Sequence, residues 1–168
     1  LLGIAPGAKI LAVRAFSETS GSAESTSFNI LKGMEWAISQ GARVINMSFA
    51  GPYDPSLERA LKDAAAKGVI LIGASGNAGP KSPPLWPGAD PNVIAVTATD
   101  SGDKLFRQAN RGPYVSVASP GVEILAPAPQ AAPPPRGTDS PEHQFAVRQL
   151  EGRKRQQIAA LASSAIVR

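Results

Sequence analysis

The alternation of apolar runs and helical patterns along this 168-residue chain predicts an α/β fold, a doubly wound parallel sheet. Three observations predict it. Short apolar runs, several β-branched and none long enough for a helix, recur at 9–16, 44–49, 69–74 and 93–99. Segments with apolar residues at helical spacing separate the first three, and glycine and proline mark short turns between them. Strand, helix, strand, helix, strand in that order packs as right-handed crossovers around one sheet.

In chain order, Leu1 to Pro6 is an apolar lead-in that Pro6-Gly7 turns into the first strand, Lys9-Ile10-Leu11-Ala12-Val13-Arg14-Ala15-Phe16. A polar, serine-rich loop over 17–26 leads to Ile30, Leu31, Met34, Ala37 and Ile38, which share one helical face. Ser25, Thr26 or Ser27 can cap its start, and Gly41 ends it. Val44-Ile45-Asn46-Met47-Ser48-Phe49 is the next strand, broken by Ala50-Gly51-Pro52. Asp54-Pro55 opens the second helix, because aspartate accepts free N–H groups of the first turn and proline has none to satisfy. Leu57, Ala60, Leu61, Ala64 and Ala65 line its apolar face, and Gly68 closes it. The run 69–74 is uncharged throughout, as suits a strand buried on both faces of a parallel sheet. Beyond a proline-rich loop, 93–99 and 114–117 are further strands, separated by a polar segment around 103–112.

Chemistry gathers where the 69–74 strand ends. Gly73, Gly76 and Gly79 let the backbone turn sharply and approach a ligand, and Asn77 sits in the middle of that turn. A glycine-rich turn after a buried strand is also the phosphate-binding fingerprint of dinucleotide folds, but that site needs a helix N-terminus next, and Pro80-Lys81-Ser82-Pro83-Pro84 denies one. Two readings stay open: the Asn77 carboxamide donates to an oxyanion on a substrate carbonyl, or Asn77 simply takes a left-handed turn conformation. Ligands of such sheets collect beyond the carboxyl ends of the strands. Ser48-Phe49-Ala50-Gly51 and Ala74-Ser75-Gly76-Asn77 are two loops on that edge. If their strands are neighbours, the loops flank a cleft whose small residues leave main-chain groups open to an extended peptide. Otherwise the small residues only permit tight turns.

Composition removes several functions. There is no cysteine, so thiol nucleophiles and Cys-based metal sites are excluded, and the single histidine, His143, rules out a multi-His metal centre within these residues. Residues 1–128 carry eleven Lys/Arg against ten Asp/Glu, whereas 129–168 carry six against three, so the basic excess lies in the tail. No apolar run reaches the roughly 18 residues of a membrane span, and the first residues lack the basic-then-apolar layout of a signal peptide. Arg153-Lys154-Arg155 has no interleaved aromatic platform, so it reads as a solvated tail and no nucleic-acid partner is expected.

Several stretches together resemble the subtilisin-like serine proteases, the subtilases: Leu2-Gly3-Ile4-Ala5-Pro6-Gly7-Ala8, Gly33-Met34-Glu35-Trp36-Ala37, Val44-Ile45-Asn46-Met47-Ser48, Ser75-Gly76-Asn77-Ala78-Gly79-Pro80, Val93-Ile94-Ala95-Val96 and Ala118-Ser119-Pro120-Gly121-Val122-Glu123-Ile124. They occur in the family's order and spacing over residues 2–128. The resemblance implies a subtilisin-like three-layer core, peptide-bond hydrolysis, extended peptide or protein substrates, no cofactor or metal, no membrane partner, and a secreted or periplasmic setting. It implies that Asn77 is the oxyanion-hole asparagine. Ser48, Phe49, Ala50 and Gly51 match the segment that pairs with substrate backbone and walls the pocket for the residue before the scissile bond, and Ala74, Ser75 and Gly76 match the opposite wall. The loop around 24–27 matches the border of a more distant subsite.

The departures from the family pattern shape the expectation. Its Asp-Thr-Gly strand end and His-Gly-Thr helix start lie upstream of the segment matched by Leu2 to Ala8, and neither motif occurs in these residues. Asp100-Ser101-Gly102 mimics the first but falls where the family has a surface turn. The Gly-Thr-Ser that opens the family's long catalytic helix is replaced, after a change of composition at Ala128, by Gly137-Thr138-Asp139-Ser140 with one residue inserted. Ser140 is the one candidate nucleophile there; His143 three residues on has no third group to orient its ring, and Asp139 places a negative charge beside the hydroxyl. The sequence therefore predicts two parts, a partial peptidase domain over 1–128 and a divergent Pro-rich and basic tail over 129–168. The fold is a subtilase core whose N-terminal strands and C-terminal catalytic helix are missing or altered, with a sheet edge exposed to association. As an isolated chain it is expected to be inactive; the alternative is a non-catalytic peptide-binding or regulatory relic.

Overall fold

The computed structural model of the chain describes residues 4–19 and 22–124. In chain order these form β1 (Ser17–Thr19), β2 (Ser22–Glu24), α1 (Ser27–Ser39), β3 (Val44–Met47), α2 (Pro55–Ala66), β4 (Ile70–Ala74), β5 (Val93–Thr99) and β6 (Val115–Pro120). The last four strands make a parallel sheet in the order β3-β4-β5-β6, so among the described residues β3 and β6 are its edges.

Both helices start and stop as their sequences dictate. Thr26, extended at φ −102°, caps α1 by accepting the Asn29 N–H through its hydroxyl, and Gly41 leaves the helix at φ +79°. Asp54 caps α2 by accepting from the Ser56 and Leu57 N–H groups, with Pro55 at the first helical position, and Gly68 turns the chain out at φ +80°. The carboxylate of Asp54 also accepts the Ser27 hydroxyl at 2.5 Å, so one side chain serves the starts of both helices.

Alternation within the strands decides where the core lies. Ile45 pairs in register with Leu71 and Leu71 with Val93, and these residues all point to one face. Against that face pack Met34 and Ala37 of α1 and Leu57, Leu61 and Ala64 of α2. Met47, Leu61 and Leu71 are essentially fully buried, each contributing about 1.5–3 kcal/mol over leaving it in water. The opposite face carries Ile70, Ile72 and Ala74, then Ile94 and Val96, then Val117. Ile70, Ile94 and Val117 are half exposed, and among the described residues no helix covers them. The third layer that the resemblance implies falls outside the described residues.

Two sequence expectations need correction. Residues 9–16 form no strand, although their composition suits one. A strand exists through its ladder, and this stretch makes none: the C=O of Ala15 accepts from the Ser25 hydroxyl at 2.6 Å, not from a neighbouring strand. Its side chains hold it instead, with Leu11 against the core, Val13 against Gly33 of α1, and the Phe16 ring 5.2 Å from Phe49. The expected run of crossovers therefore begins only at β3, whose outer edge is unpaired among the described residues. Conversely, the serine-rich segment 17–26 is not all loop, since β1 and β2 pair antiparallel with Ser17 opposite Glu24.

Candidate active site

The two loops singled out from sequence do leave adjacent strands. Met47, the last residue of β3, is paired with Gly73 of β4, so 48–51 and 75–79 emerge side by side from the carboxyl ends of a parallel pair. What holds each loop differs.

The first loop is held by main chain. Gly51 donates its N–H to the Trp86 C=O at 2.8 Å and accepts the Trp86 N–H at 3.0 Å, an antiparallel bridge to the loop that follows β4. The Phe49 N–H turns back to the Met47 C=O, and the Ser48 hydroxyl reaches the Asn46 side chain at 2.9 Å. Gly51 thus has no main-chain hydrogen left to offer a peptide. Ala50 differs: it is exposed, and its N–H and C=O have no partner among the described residues.

The second loop is fastened to the segment between β5 and β6. Ser75 is buried, with its N–H on the Val96 C=O and its C=O accepting the Tyr114 hydroxyl at 2.8 Å. The C=O of Gly76 accepts the Asn110 N–H, the Ala78 N–H donates to the Asn110 side-chain oxygen, and the Gly79 N–H to the Gln108 C=O. Gly76 and Gly79 take φ values of +100° and +105°, the left-handed territory that glycine enters freely. Between them Asn77 stands exposed, its carboxamide without a partner among the described residues. Ala74 is partly buried at the cleft end of β4, where the Trp86 loop closes against it: a Cβ on Gly88 would fall 2.2 Å from the Ala74 carbonyl oxygen, so only glycine lets the two backbones meet.

The remaining candidates fall into place more simply. Asp100 accepts from the N–H groups of Gly102 and Lys104, which makes Asp100-Ser101-Gly102 a surface turn. Ser140 and His143 lie outside the described residues, as do all residues from 125 on. Among the described residues no group of three or more His, Asp or Glu is placed to hold a metal ion, and no helix is long and apolar enough to cross a membrane. Four residues that matter were not singled out from sequence. Asn110 and Tyr114 sit in a segment with no motif of its own, whereas Trp86 and Gly88 flank Pro87 in a loop of small residues, where a lone indole was a usable signal.

A parallel sheet with an exposed amide donor and an open peptide unit on neighbouring carboxyl-end loops defines a class: α/β domains that carry their chemistry on the loops beyond one edge of the sheet. The family model of the Subtilase family matches residues 1–159. The chain belongs to that family. It is 36% identical over 130 residues to Subtilisin Savinase of Lederbergia lenta, covering 77% of this chain and 47% of that protein. To Thermitase of Thermoactinomyces vulgaris it is 38% identical over 130 residues, covering 77% and 45%. Among solved structures it is similar to a cold-adapted subtilisin-like serine proteinase, with a TM-score of 0.57, 28% identity, and 61% of this chain on 38% of that one. It is also similar to the prenylagaramide maturation protease PagA, at a TM-score of 0.57 and 29% identity over 64% and 40% of the two chains. The chain spans about half the length of the curated relatives it matches.

Proposed function

We propose that this chain is the substrate-binding and oxyanion-stabilising part of a subtilisin-like serine endopeptidase, organised as a peptidase portion over 1–128 and a separate tail over 129–168. In this reading Ala50 pairs with the backbone of an extended peptide, Ser48, Phe49 and Gly51 wall one side of the pocket, and Ala74, Ser75 and Gly76 wall the other. Asn77 donates to the carbonyl oxygen as it becomes an oxyanion. The observation that carries the reading is open groups set beside fastened ones: Gly51, Ser75, Gly76, Ala78 and Gly79 each spend main-chain groups on Trp86, Val96, Tyr114, Asn110 or Gln108, while the Asn77 carboxamide and the Ala50 peptide groups have no partner among the described residues. Polar groups held in position and left unsatisfied are what a ligand completes.

Among the described residues there is no general base with an orienting partner, and in this reading the chain binds peptide without turning it over and the Ser140 hydroxyl is unreactive. Two measurements test this. A fluorogenic peptide incubated with the purified 168-residue chain stays intact, and cleavage lost on Asn77→Ala would show the reading of inactivity to be wrong. A fluorophosphonate probe followed by peptide mapping leaves Ser140 unlabelled; stoichiometric labelling that disappears in Ser140→Ala would make the tail a working nucleophile segment.

A further inference from the structure

We infer that Asn110 is a positioning residue for Asn77, gripping the turn on both sides of it so that the carboxamide faces the cleft. The inference rests on the reading of Asn77 as the oxyanion donor and adds what holds it there.

Asn110 lies in the segment between β5 and β6, 33 positions after Asn77, and is 2% exposed. Its main-chain N–H donates to the Gly76 C=O at 2.9 Å, and its side-chain oxygen accepts the Ala78 N–H at 2.8 Å. These are the residues immediately before and after Asn77. A buried carboxamide is costly unless its polar atoms are satisfied, and an apolar residue of similar size would fill the space without that cost. The amide therefore has a specific task, and the task on view is to accept the Ala78 N–H. Its nitrogen contributes little more, reaching the Ser82 hydroxyl at 3.4 Å.

The fit is reciprocal. A Cβ on Gly76 would stand 2.6 Å from the Asn110 side-chain nitrogen, so the glycine leaves room for the carboxamide that grips it. Tyr114 on Ser75 and Gln108 on Gly79 extend the same fastening to either end of the turn. Asn77, which touches none of these groups with its side chain, inherits its direction from the two peptide units on its flanks. A donor held before the charge develops needs no reorganisation when it does, which is the physical use of such a grip.

The test uses the full 168-residue chain labelled with nitrogen-15 and titrated with acetyl-tetraalanine, whose free carboxylate presents oxygens where an oxyanion would sit. In the wild type the Asn77 side-chain NH2 resonances move on titration and the Ala78 amide exchanges slowly. In Asn110→Ala the Ala78 amide exchanges fast, the Asn77 response collapses, and Kd rises roughly tenfold, the factor that one lost hydrogen bond corresponds to. Asn110→Asp, which keeps both the volume and an acceptor for Ala78, restores most of the affinity, whereas Asn110→Leu, which keeps the volume and removes the acceptor, does not; recovery in Asn110→Leu would reduce the role to packing and overturn the grip. Asn77→Ala weakens binding to a similar degree, and the double variant is no worse than either single one. A folded Asn110→Ala that binds as the wild type does, beside a weakened Asn77→Ala, overturns the positioning role alone. Unchanged binding by Asn77→Ala overturns the donor assignment and the positioning role with it. If Asn110→Ala does not fold, Asn110→Ser is the smaller lesion: it keeps a polar atom but sets it one bond short of the Ala78 N–H, and is read by the same resonances.

Discussion

The two walls of the cleft reach the same end by different means. The wall after β3 is pinned through peptide groups, Gly51 to Trp86 in both directions, so its position does not depend on which side chains it carries. The wall after β4 also has main-chain bonds, from Ser75, Gly76 and Gly79 to Val96, Asn110 and Gln108, and adds to them two side-chain clamps from elsewhere in the chain, Asn110 and Tyr114. Main-chain bridges tolerate substitution because every residue but proline brings the same donor and acceptor. Side-chain clamps do not, yet they can reach a residue that no ladder could hold, which is what a lone exposed amide requires.

Four substitutions sharpen or break this contrast. The largest effect is expected from Gly88→Ala, since the new methyl would fall on the Ala74 carbonyl oxygen and one of the backbones must move. A loss of about 1–3 kcal/mol, the usual cost of overpacking, should appear in urea unfolding, and wild-type stability would mean that the Trp86 loop does not meet Ala74. Tyr114→Phe removes one hydrogen bond from the clamped wall and should cost about 0.5–1.5 kcal/mol. An unchanged midpoint would show that Ser75 is held without it.

Acid tests the anchor just beyond the first wall. The Ser27 hydroxyl, and then the Leu57 N–H, hold the Asp54 carboxyl below its ordinary value of 3.8. Because the folded state depresses this pKa, the stabilisation is complete above the unfolded value and is lost as pH falls through the folded one. Stability should therefore decline on acidification below about pH 4, and Asp54→Asn should flatten part of that decline; an identical acid limb in the variant removes Asp54 from the account. The smallest effect is expected from Ala50→Ser, on the wall that main chain secures: a midpoint within about 0.5 kcal/mol of the wild type. A larger loss would mean that the first wall, too, relies on its side chains.

Local chemistry explains what could be read from sequence. The caps at Thr26 and Asp54-Pro55, the exits at Gly41 and Gly68, and the apolar runs of β3 to β5 each have their cause within a few residues, and each lies close to where the sequence puts it. Residues 9–16 misled because β-branched composition reports suitability for a ladder and says nothing about whether a partner strand is there. The family pattern singled out Asn77 and the two loops, which leave neighbouring strands. It did not reveal Asn110, because an asparagine in a polar stretch looks like surface until the fold brings it against a turn 32 residues earlier. The helices α1 and α2 were legible; that they share one face of the sheet was not, since periodicity gives a helix its apolar side and leaves open which side of the sheet it meets.

The bridge between Gly51 and Trp86 has a mechanical consequence. Gly51 belongs to the loop after β3, and Trp86 to the loop after β4, whose nearer end carries Asn77; the Trp86 ring in turn rests edge-on against Tyr53 at 5.0 Å. The two loops are thus cross-braced. Displacing one loop therefore loads the other, and the two move as a coupled pair.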